Sequence, residues 1–371
     1  MSLIYSFLIC YFVFLFSILG VGAIFQRIKE KKYLNGRKIS LDDITLIVPF
    51  RNEEKRINEI LSSLIICNKL PKQILFVNDH SEDLSILKIE EKLHHLENVK
   101  VINLTNEMQG KKEAIRFGIS QTKTKFILTM DADVSFEPAY FKQLENLAEA
   151  DLYLLPAVMK AMNPVHHFFE LDLLLMNALN TGLNGLYRPI VASGANLLFK
   201  RNSFLEFDRF ESHKSIPSGD DIYLLRDFRK ANCDIRLIAK IDFQVETETP
   251  QSLKDFFHQR IRWIAKTGNV KDHLSTALAI VQFIFIISFW TFEINLLNKK
   301  EFQNAFILLG IKTGIDMLFF FSYFKEFNRL TTWLFIPIYQ LIFPIYNVFL
   351  LILLLFFKPI WKGRYAGIRS R

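Results

Sequence analysis

Three cysteines in 371 residues leave little material for a disulfide framework or a zinc site. Cys10, Cys67 and Cys233 stand far apart, with no pair at metal-ligand spacing. The chain also lacks internal repeats and low-complexity linkers. Charge is missing altogether from residues 3–25, a run long enough to cross a bilayer core of ~30 Å. A cleaved signal peptide fits this run poorly: it is too long, no basic residues precede it, and no small-residue cleavage site follows. No nucleic-acid recognition motif accompanies the formal charge of +8, so no nucleic-acid partner is expected.

Half of the residues are hydrophobic, and 37 are Phe. The first apolar run is followed by Arg27, Lys29, Lys31, Lys32, Arg37 and Lys38 against the single acid Glu30. The positive-inside rule puts this flank in the cytoplasm and the N-terminus outside. The polar middle, residues 40–270, is then cytoplasmic and of a size for one domain. Apolar character returns at residues 274–292, at 302–324 and at 331–357. Lys312 and Asp316 interrupt the second of these; at i, i+4 they are placed to neutralise each other. Pro337 and Pro344 break the third. Three full crossings would leave the C-terminus outside, yet the tail carries Lys358, Lys362, Arg364, Arg369 and Arg371. The Pro-broken segment is therefore expected to lie in the interface or re-enter, keeping the basic tail inside. The basic clusters beside these segments suit anionic lipid headgroups.

Between the apolar ends, short hydrophobic runs alternate with amphipathic stretches, the pattern of an α/β domain. Strands are expected at 44–48, 74–77, 99–103, 125–130, 151–155, 196–199 and 234–238, and helices at 54–66, 137–149, 165–183 and 220–230. Polar residues follow three of the strands: Arg51-Asn52-Glu53, Asn78-Asp79-His80-Ser81, and the pair Asp131 and Asp133. In open α/β sheets ligands bind at that edge.

Asp131 and Asp133, at i and i+2, leave an extended chain on one face. Two like charges so close raise each other's proton affinity unless a positive group stands between them. A divalent cation carrying substrate phosphates is one such group; an Asp-rich turn is the plainer alternative. Two further clusters complete the set. Gly219-Asp220-Asp221 opens a helix, where carboxylates are favourably placed. Gln259-Arg260-Ile261-Arg262-Trp263 lies on an amphipathic helix whose apolar stripe is Leu253, Phe256, Phe257, Ile261 and Ile264. At ~100° per residue, Gln259, Arg262 and Trp263 share a flank away from the stripe's centre. Arg260 projects nearer the stripe, where it can snorkel to lipid heads or reach a diphosphate. The His94-His95 and His166-His167 pairs are read as structural, because adjacent helical side chains point apart.

In order, Pro49-Phe50-Arg51-Asn52-Glu53, Val77-Asn78-Asp79-His80-Ser81, Gly110-Lys111, Asp131-Ala132-Asp133, Gly194-Ala195-Asn196, Gly219-Asp220-Asp221 and the pentad 259–263 resemble the membrane-embedded branch of family 2 glycosyltransferases, which includes cellulose and hyaluronan synthases and ceramide glucosyltransferase. Trp361-Lys362-Gly363-Arg364-Tyr365 also looks like that branch. The resemblance implies a GT-A (Rossmann-like) cytoplasmic domain with one N-terminal and two to three C-terminal transmembrane helices. It implies a nucleotide-sugar donor, most simply UDP-linked, a divalent metal (Mg or Mn), and inversion at the anomeric carbon. Carried over by motif, Asp79 contacts the base and Lys111 lies near the nucleotide. Asp131 and Asp133 hold nucleotide and metal, with Asp133 the closer ligand. Asp221 is the general base, Arg262 and Arg260 face the diphosphate, and Trp263 and Gln259 face the acceptor. The sequence departs from the family pattern at Asn78, where an acid is common, and at Asp220, where a Glu is usual. Asn196 and Arg51 are read as structural.

The domains expected are a membrane helix at 1–26, the transferase domain at 40–250, an interfacial helix at 251–270, a membrane region at 274–357 and a basic tail at 358–371. The expected activity is transfer to a lipid-linked or membrane-proximal acceptor hydroxyl by an integral protein of the cell (inner) membrane. A processive polysaccharide synthase, and a nucleotide-binding membrane scaffold or transporter, stand as alternatives.

Overall fold

A computed structural model describes residues 2–212, 219–270, 272–356, 360–361 and 364–365. The chain divides into two compact units. One comprises residues 30–160 and 191–270, with the segment after 356. The other comprises residues 1–29, 161–190 and 271–356.

The first unit is built on a seven-stranded sheet: β1 (Ile44–Phe50), β2 (Gln73–Asn78), β3 (Val99–Asn103), β4 (Phe126–Met130), β5 (Leu152–Leu154), β6 (Asn196–Lys200) and β7 (Ile235–Leu237). Their order is β3-β2-β1-β4-β6-β5-β7. The first four run parallel; β6 is antiparallel to both its neighbours, and β5 and β7 are parallel. Every residue of β1 and β4 is buried. Alternation then sorts the side chains onto two faces. Leu46, Val48, Phe76, Leu128 and Met130 pack on one, where the Asn58–Ile66 helix adds Ile60, Leu61 and Leu64. Ile47, Leu75, Val77 and Ile127 pack on the other, where the Lys111–Ser120 helix adds Ala114, Ile115 and Ile119. Each fully buried aliphatic side chain is worth about 1.5–3 kcal/mol. Buried Thr45 is satisfied within the core, its hydroxyl 2.6 Å from Thr122 Oγ1 and 2.7 Å from Thr124 Oγ1. A second, three-stranded sheet joins Val134–Ser135, Val245–Glu248 and Ala157–Lys160.

The expected helix over 137–149 shrinks to Tyr140–Leu144. The backbone beyond it pairs elsewhere: Leu147 accepts from Ile39 N–H, and Ala148 and Glu149 donate to Tyr33 and Arg37. The Ser85–Leu93 and Arg201–Phe207 helices were not anticipated.

Among the described residues, four helices are long and apolar enough to cross a membrane, by length and composition: Leu3–Tyr33, His273–Asn298, Phe302–Glu326 and Ile336–Leu353. The Pro-broken segment begins as a short helix, Leu330–Trp333, and then runs as one helix through Pro344 from Ile336 to Phe356. The basic residues Lys358, Lys362, Arg369 and Arg371 lie outside the described residues.

Residues 161–190 belong to this second unit, so the span expected as a single 40–250 domain is interrupted. The Pro164–Leu186 helix, capped by Asn163 Oδ1 accepting from His166 N–H, carries the interruption. It crosses the first apolar helix backbone to backbone. A Cβ on Gly182 would fall 2.2 Å from Ile18 O, and one on Gly22 would fall 2.4 Å from Gly182 O. The first helix takes a π turn at Phe16–Val21, beside that crossing. Asn184 Nδ2 donates to Gln26 Oε1 at 2.7 Å there.

Two clusters of polar groups inside this unit pair among themselves. Glu170, fully buried, accepts from Arg329 Nε at 2.7 Å and from the Thr332 hydroxyl. The His167 ring nitrogen Nδ1 lies 2.7 Å from Thr332 Oγ1. Lys312 Nζ meets Asp316 Oδ2 at 2.6 Å, the i, i+4 neutralisation read from the sequence, and Tyr11 donates to Asp316 Oδ1 at 2.5 Å.

Candidate active site at the parallel strand ends

The sheet order decides where a site can form. From β1 the chain steps to β2 and β3 on one side, and β4 lies on the other. Strand order reverses at β1, and the crevice beyond the carboxyl ends of β1 and β4 is the place where such sheets bind ligands. Arg51-Asn52-Glu53 leaves β1 there, Asp79 leaves β2, and Asp131 and Asp133 leave β4.

The carboxylate pair has the expected facing. Asp131 and Asp133 are partly exposed, while Ala132 and Val134 turn into the core. Each carboxylate meets a different cation. Lys111, the first residue of its helix, puts Nζ 2.6 Å from Asp131 Oδ1 and 3.2 Å from Asp220 Oδ2. Arg56 puts NH1 2.9 Å from Asp133 Oδ2 and NH2 2.7 Å from Glu53 Oε2. Burial alone would lower the Lys111 pKa; Asp131 and Asp220 outweigh it and hold the ammonium well above its usual value. Burial acts the same way on Arg56 and is outweighed by Asp133, Glu53 and Glu248. Next door, burial pushes Lys112 down to about 8, against the pull of Asp220 and Asp221. Its ammonium lies 4.5 Å from the centre of the Tyr223 ring.

Asp79 is only 2% exposed. Its Oδ2 accepts from Gly110 N–H at 3.1 Å, and Arg51 NH1 approaches Oδ1 at 4.0 Å and donates to its carbonyl at 3.3 Å. Asp79 thereby anchors the residue that starts the Lys111 helix.

Asp220 and Asp221 open the Asp220–Lys230 helix and divide their tasks. Asp220 reaches Lys111, whereas buried Asp221 accepts from Ile222 N–H at 2.7 Å and Gly194 N–H at 3.3 Å. Gly194 has no room for a side chain: a Cβ would fall 2.6 Å from Asp220 Oδ2 and 2.9 Å from Lys111 Nζ. Asn196 holds this wall, donating to Pro156 O and Phe243 O at 2.9 Å and accepting from Tyr140 OH at 2.5 Å.

The pentad lies on the Leu253–Val270 helix, in the same unit. Its buried side differs from the stripe expected. Phe256 and Ile261 are buried as foreseen, but Leu253 and Ile264 are exposed, and Arg260 is 3% exposed. The Arg260 guanidinium packs on its own helix, 4.1 Å from the Trp263 ring centre and 4.6 Å from that of Phe256. Aromatic stacking draws the cation to the packed side. Arg262 remains by the carboxylates. Burial and the like charge of Arg56 lower its pKa, and Asp131 opposes them. Gln259 and Trp263 are half-buried on the same helix. The structure thus brings Asp79, Lys111, Asp131, Asp133, Asp221 and Arg262 to one strand-end region, and gives Arg260 and Trp263 to each other. Arg56, Glu53 and Asp220 were not anticipated as site residues. The signal for Arg56 was present in its position three residues after Glu53, in the polar segment that follows β1.

Residues 45–206 match the family described as Glycosyl transferase family 2, and residues 126–358 match Glycosyl transferase family group 2. The chain belongs to glycosyl transferase family 2. The resemblance carried by the ordered motifs is borne out, as is the α/β GT-A class, with a parallel-centred sheet and one N-terminal and three further apolar helices. Among relatives of this family 2 chain, the undecaprenyl-phosphate 4-deoxy-4-formamido-L-arabinose transferase of Proteus mirabilis is 27% identical over 112 residues, 29% of this chain and 34% of the relative. The poly-β-1,6-N-acetyl-D-glucosamine synthase of Staphylococcus aureus is 30% identical over 152 residues, 38% and 36% respectively. The dolichol-phosphate mannosyltransferase of Saccharomyces cerevisiae is 29% identical over 100 residues, 26% and 37%. The matched stretch thus spans 34% to 37% of each of these relatives. Of solved structures, a mannosyltransferase of Pyrobaculum calidifontis bound to GDP-Man and Mn²⁺ aligns with TM-score 0.49 and 14% identity, covering 90% of this chain and 99% of its own. S. aureus TarS aligns with TM-score 0.39 and 21% identity, covering 60% and 64%.

The donor set fits the divalent cation that the family implies. Asp131 and Asp133 offer hard carboxylate oxygens, and one or two carboxylates with substrate phosphates suffice for Mg²⁺. Among the described residues no group of three or more His, Cys, Asp or Glu side chains converges as a self-sufficient metal site, so phosphate oxygens would complete the shell.

Proposed function

We propose that this protein is an inverting glycosyltransferase that moves a sugar from a nucleotide-sugar donor, most simply UDP-linked, to a hydroxyl of a lipid-linked or membrane-proximal acceptor. The observation that carries the reading is Lys111 joining Asp131 to Asp220, which ties the carboxylate pair after β4 to the helix that carries Asp221. Asp221 takes the proton of the acceptor hydroxyl as that oxygen bonds to the anomeric carbon and the bond to the nucleoside diphosphate breaks. Its carboxylate is pre-oriented by the backbone N–H groups of Gly194 and Ile222. Lys111 and Arg262 meet the charge that develops on the leaving diphosphate. A divalent cation held by Asp131 and Asp133 would add charge neutralisation at that diphosphate. Asp79 sets the position of the nucleotide end through Gly110, and Trp263 with Gln259 borders the acceptor.

The relatives acting on undecaprenyl and dolichol phosphates, and the apolar helices, favour a lipid-linked acceptor. The basic flank at residues 27–38 favours a cytoplasmic site in the cell membrane. The polysaccharide-synthase relative supports a second reading, processive transfer. The test incubates the purified full chain in native lipid with labelled nucleotide sugars. One sugar added to an organic-extractable product supports single transfer to lipid, and a ladder of products supports the synthase. Nucleotide binding without any transfer removes the enzyme reading in favour of a binding protein.

A further inference from the structure

The two site cations share one design. Each grips a carboxylate of the pair and already holds a second one: Lys111 keeps Asp220 beside Asp131, and Arg56 keeps Glu53 beside Asp133. A cation with a second anchor can release the first without being left uncompensated in a partly buried place, which is the costly outcome for such pairs. The two differ in access. The Arg56 side chain is 39% exposed and that of Lys111 17%, so Arg56 is the freer to turn. It also stands against a like charge, since Arg262 lies near enough for the two to repel.

We infer that Arg56 is a built-in counter-ion for the carboxylate pair: it occupies Asp133 in the donor-free protein and withdraws onto Glu53 when a divalent cation arrives with a nucleoside diphosphate. This rests on the metal role proposed above for Asp131 and Asp133. It makes Arg56 a positioning residue that keeps the Asp133 carboxylate aimed between turnovers. Affinity for the bare ion is then weakened, and cation and nucleotide bind as a unit.

The test is equilibrium binding of Mn²⁺, read by electron paramagnetic resonance on the full chain in lipid nanodiscs, first alone and then with UDP. Arg56→Gln is expected to bind Mn²⁺ alone about fivefold more tightly than wild type, the yield of removing one partly exposed ion pair. The gain should vanish in Arg56→Gln/Asp133→Asn and be absent in Lys55→Gln, which removes one exposed charge next door. Arg56→Lys keeps the charge without the two-pronged grip. It should give a smaller gain of the same sign, and it carries the test if Arg56→Gln does not fold. An Mn²⁺ affinity in Arg56→Gln equal to or weaker than wild type overturns the counter-ion role, as does an equal gain in Lys55→Gln. If wild type with UDP binds no Mn²⁺, the metal reading itself fails and this inference with it. That outcome is distinct from metal that binds with no response to Arg56.

Discussion

Both units of this protein bury or half-bury acidic and basic side chains, and they treat them in opposite ways. In the unit of apolar helices, Glu170 is enclosed by Arg329 and Thr332, and Asp316 by Lys312 and Tyr11. These groups hold segments in register. In the α/β unit, Lys111 and Arg56 each bridge two carboxylates at a partly open strand edge. Those bridges can lose one arm and keep the other. Similar ion-pair chemistry thus makes a clamp in one place and an exchangeable site in the other, and what separates the two is burial and the number of alternative partners.

The comparison can be broken most sharply at the proposed base. Asp221→Asn is expected to lower turnover by about 10³-fold while donor binding, measured by labelled UDP retention, stays near wild type. Asp220→Asn, which loosens Lys111 instead, should act mainly on donor affinity. If the two variants behave alike, the division of tasks is wrong.

At the clamp, Glu170→Gln removes the buried carboxylate that Arg329 Nε and the Thr332 hydroxyl hold and should cost about 3 kcal/mol in stability, the range for breaking a buried pair from one side. Thermal unfolding of the detergent-solubilised protein reads this, and an unchanged midpoint would show that the network is not a structural clamp. Lys111→Met is the matching change in the open site. It should weaken nucleotide binding about tenfold while shifting the unfolding midpoint less than Glu170→Gln does. A larger midpoint shift for Lys111→Met would reverse the contrast.

The smallest effect concerns Lys112. With its pKa pushed down to about 8 from 10.5, it is protonated in both folded and unfolded chains below that value, and its burial is then a constant cost. Between about 8 and 10.5 the unfolded chain holds a proton that the folded chain has lost, so stability from this group rises with pH across that window. Lys112→Met removes the dependence. The variant's thermal advantage over wild type should be largest near pH 7 and narrow by about pH 10. An advantage that does not change with pH would mean that Lys112 is not held in a desolvated place.

Much of this was legible in the chain. Short apolar runs ending in polar clusters announced β1, β2 and β4, because a strand buried on both faces reads as an unbroken hydrophobic segment. That Asp131 and Asp133 share a face was readable from local spacing, since extended geometry alone fixes it. Lys312 with Asp316 was likewise readable from helical i, i+4 spacing. The packing of Arg260 was not legible: periodicity places a residue on a helix face but does not say which face the rest of the unit will cover, and here the cation lies against Phe256 and Trp263.

The sequence by itself determined the class of this protein, because hydrophobic period, charge asymmetry and ordered motifs are local properties. Only the tertiary structure decided that residues 161–190 leave the α/β unit, since glycine backbones at 22 and 182 must meet before that helix has a partner. Only the tertiary structure placed Arg56 on Asp133 across 77 positions of sequence, because an ion pair of that separation exists only once the parallel sheet sets the ends of β1 and β4 side by side.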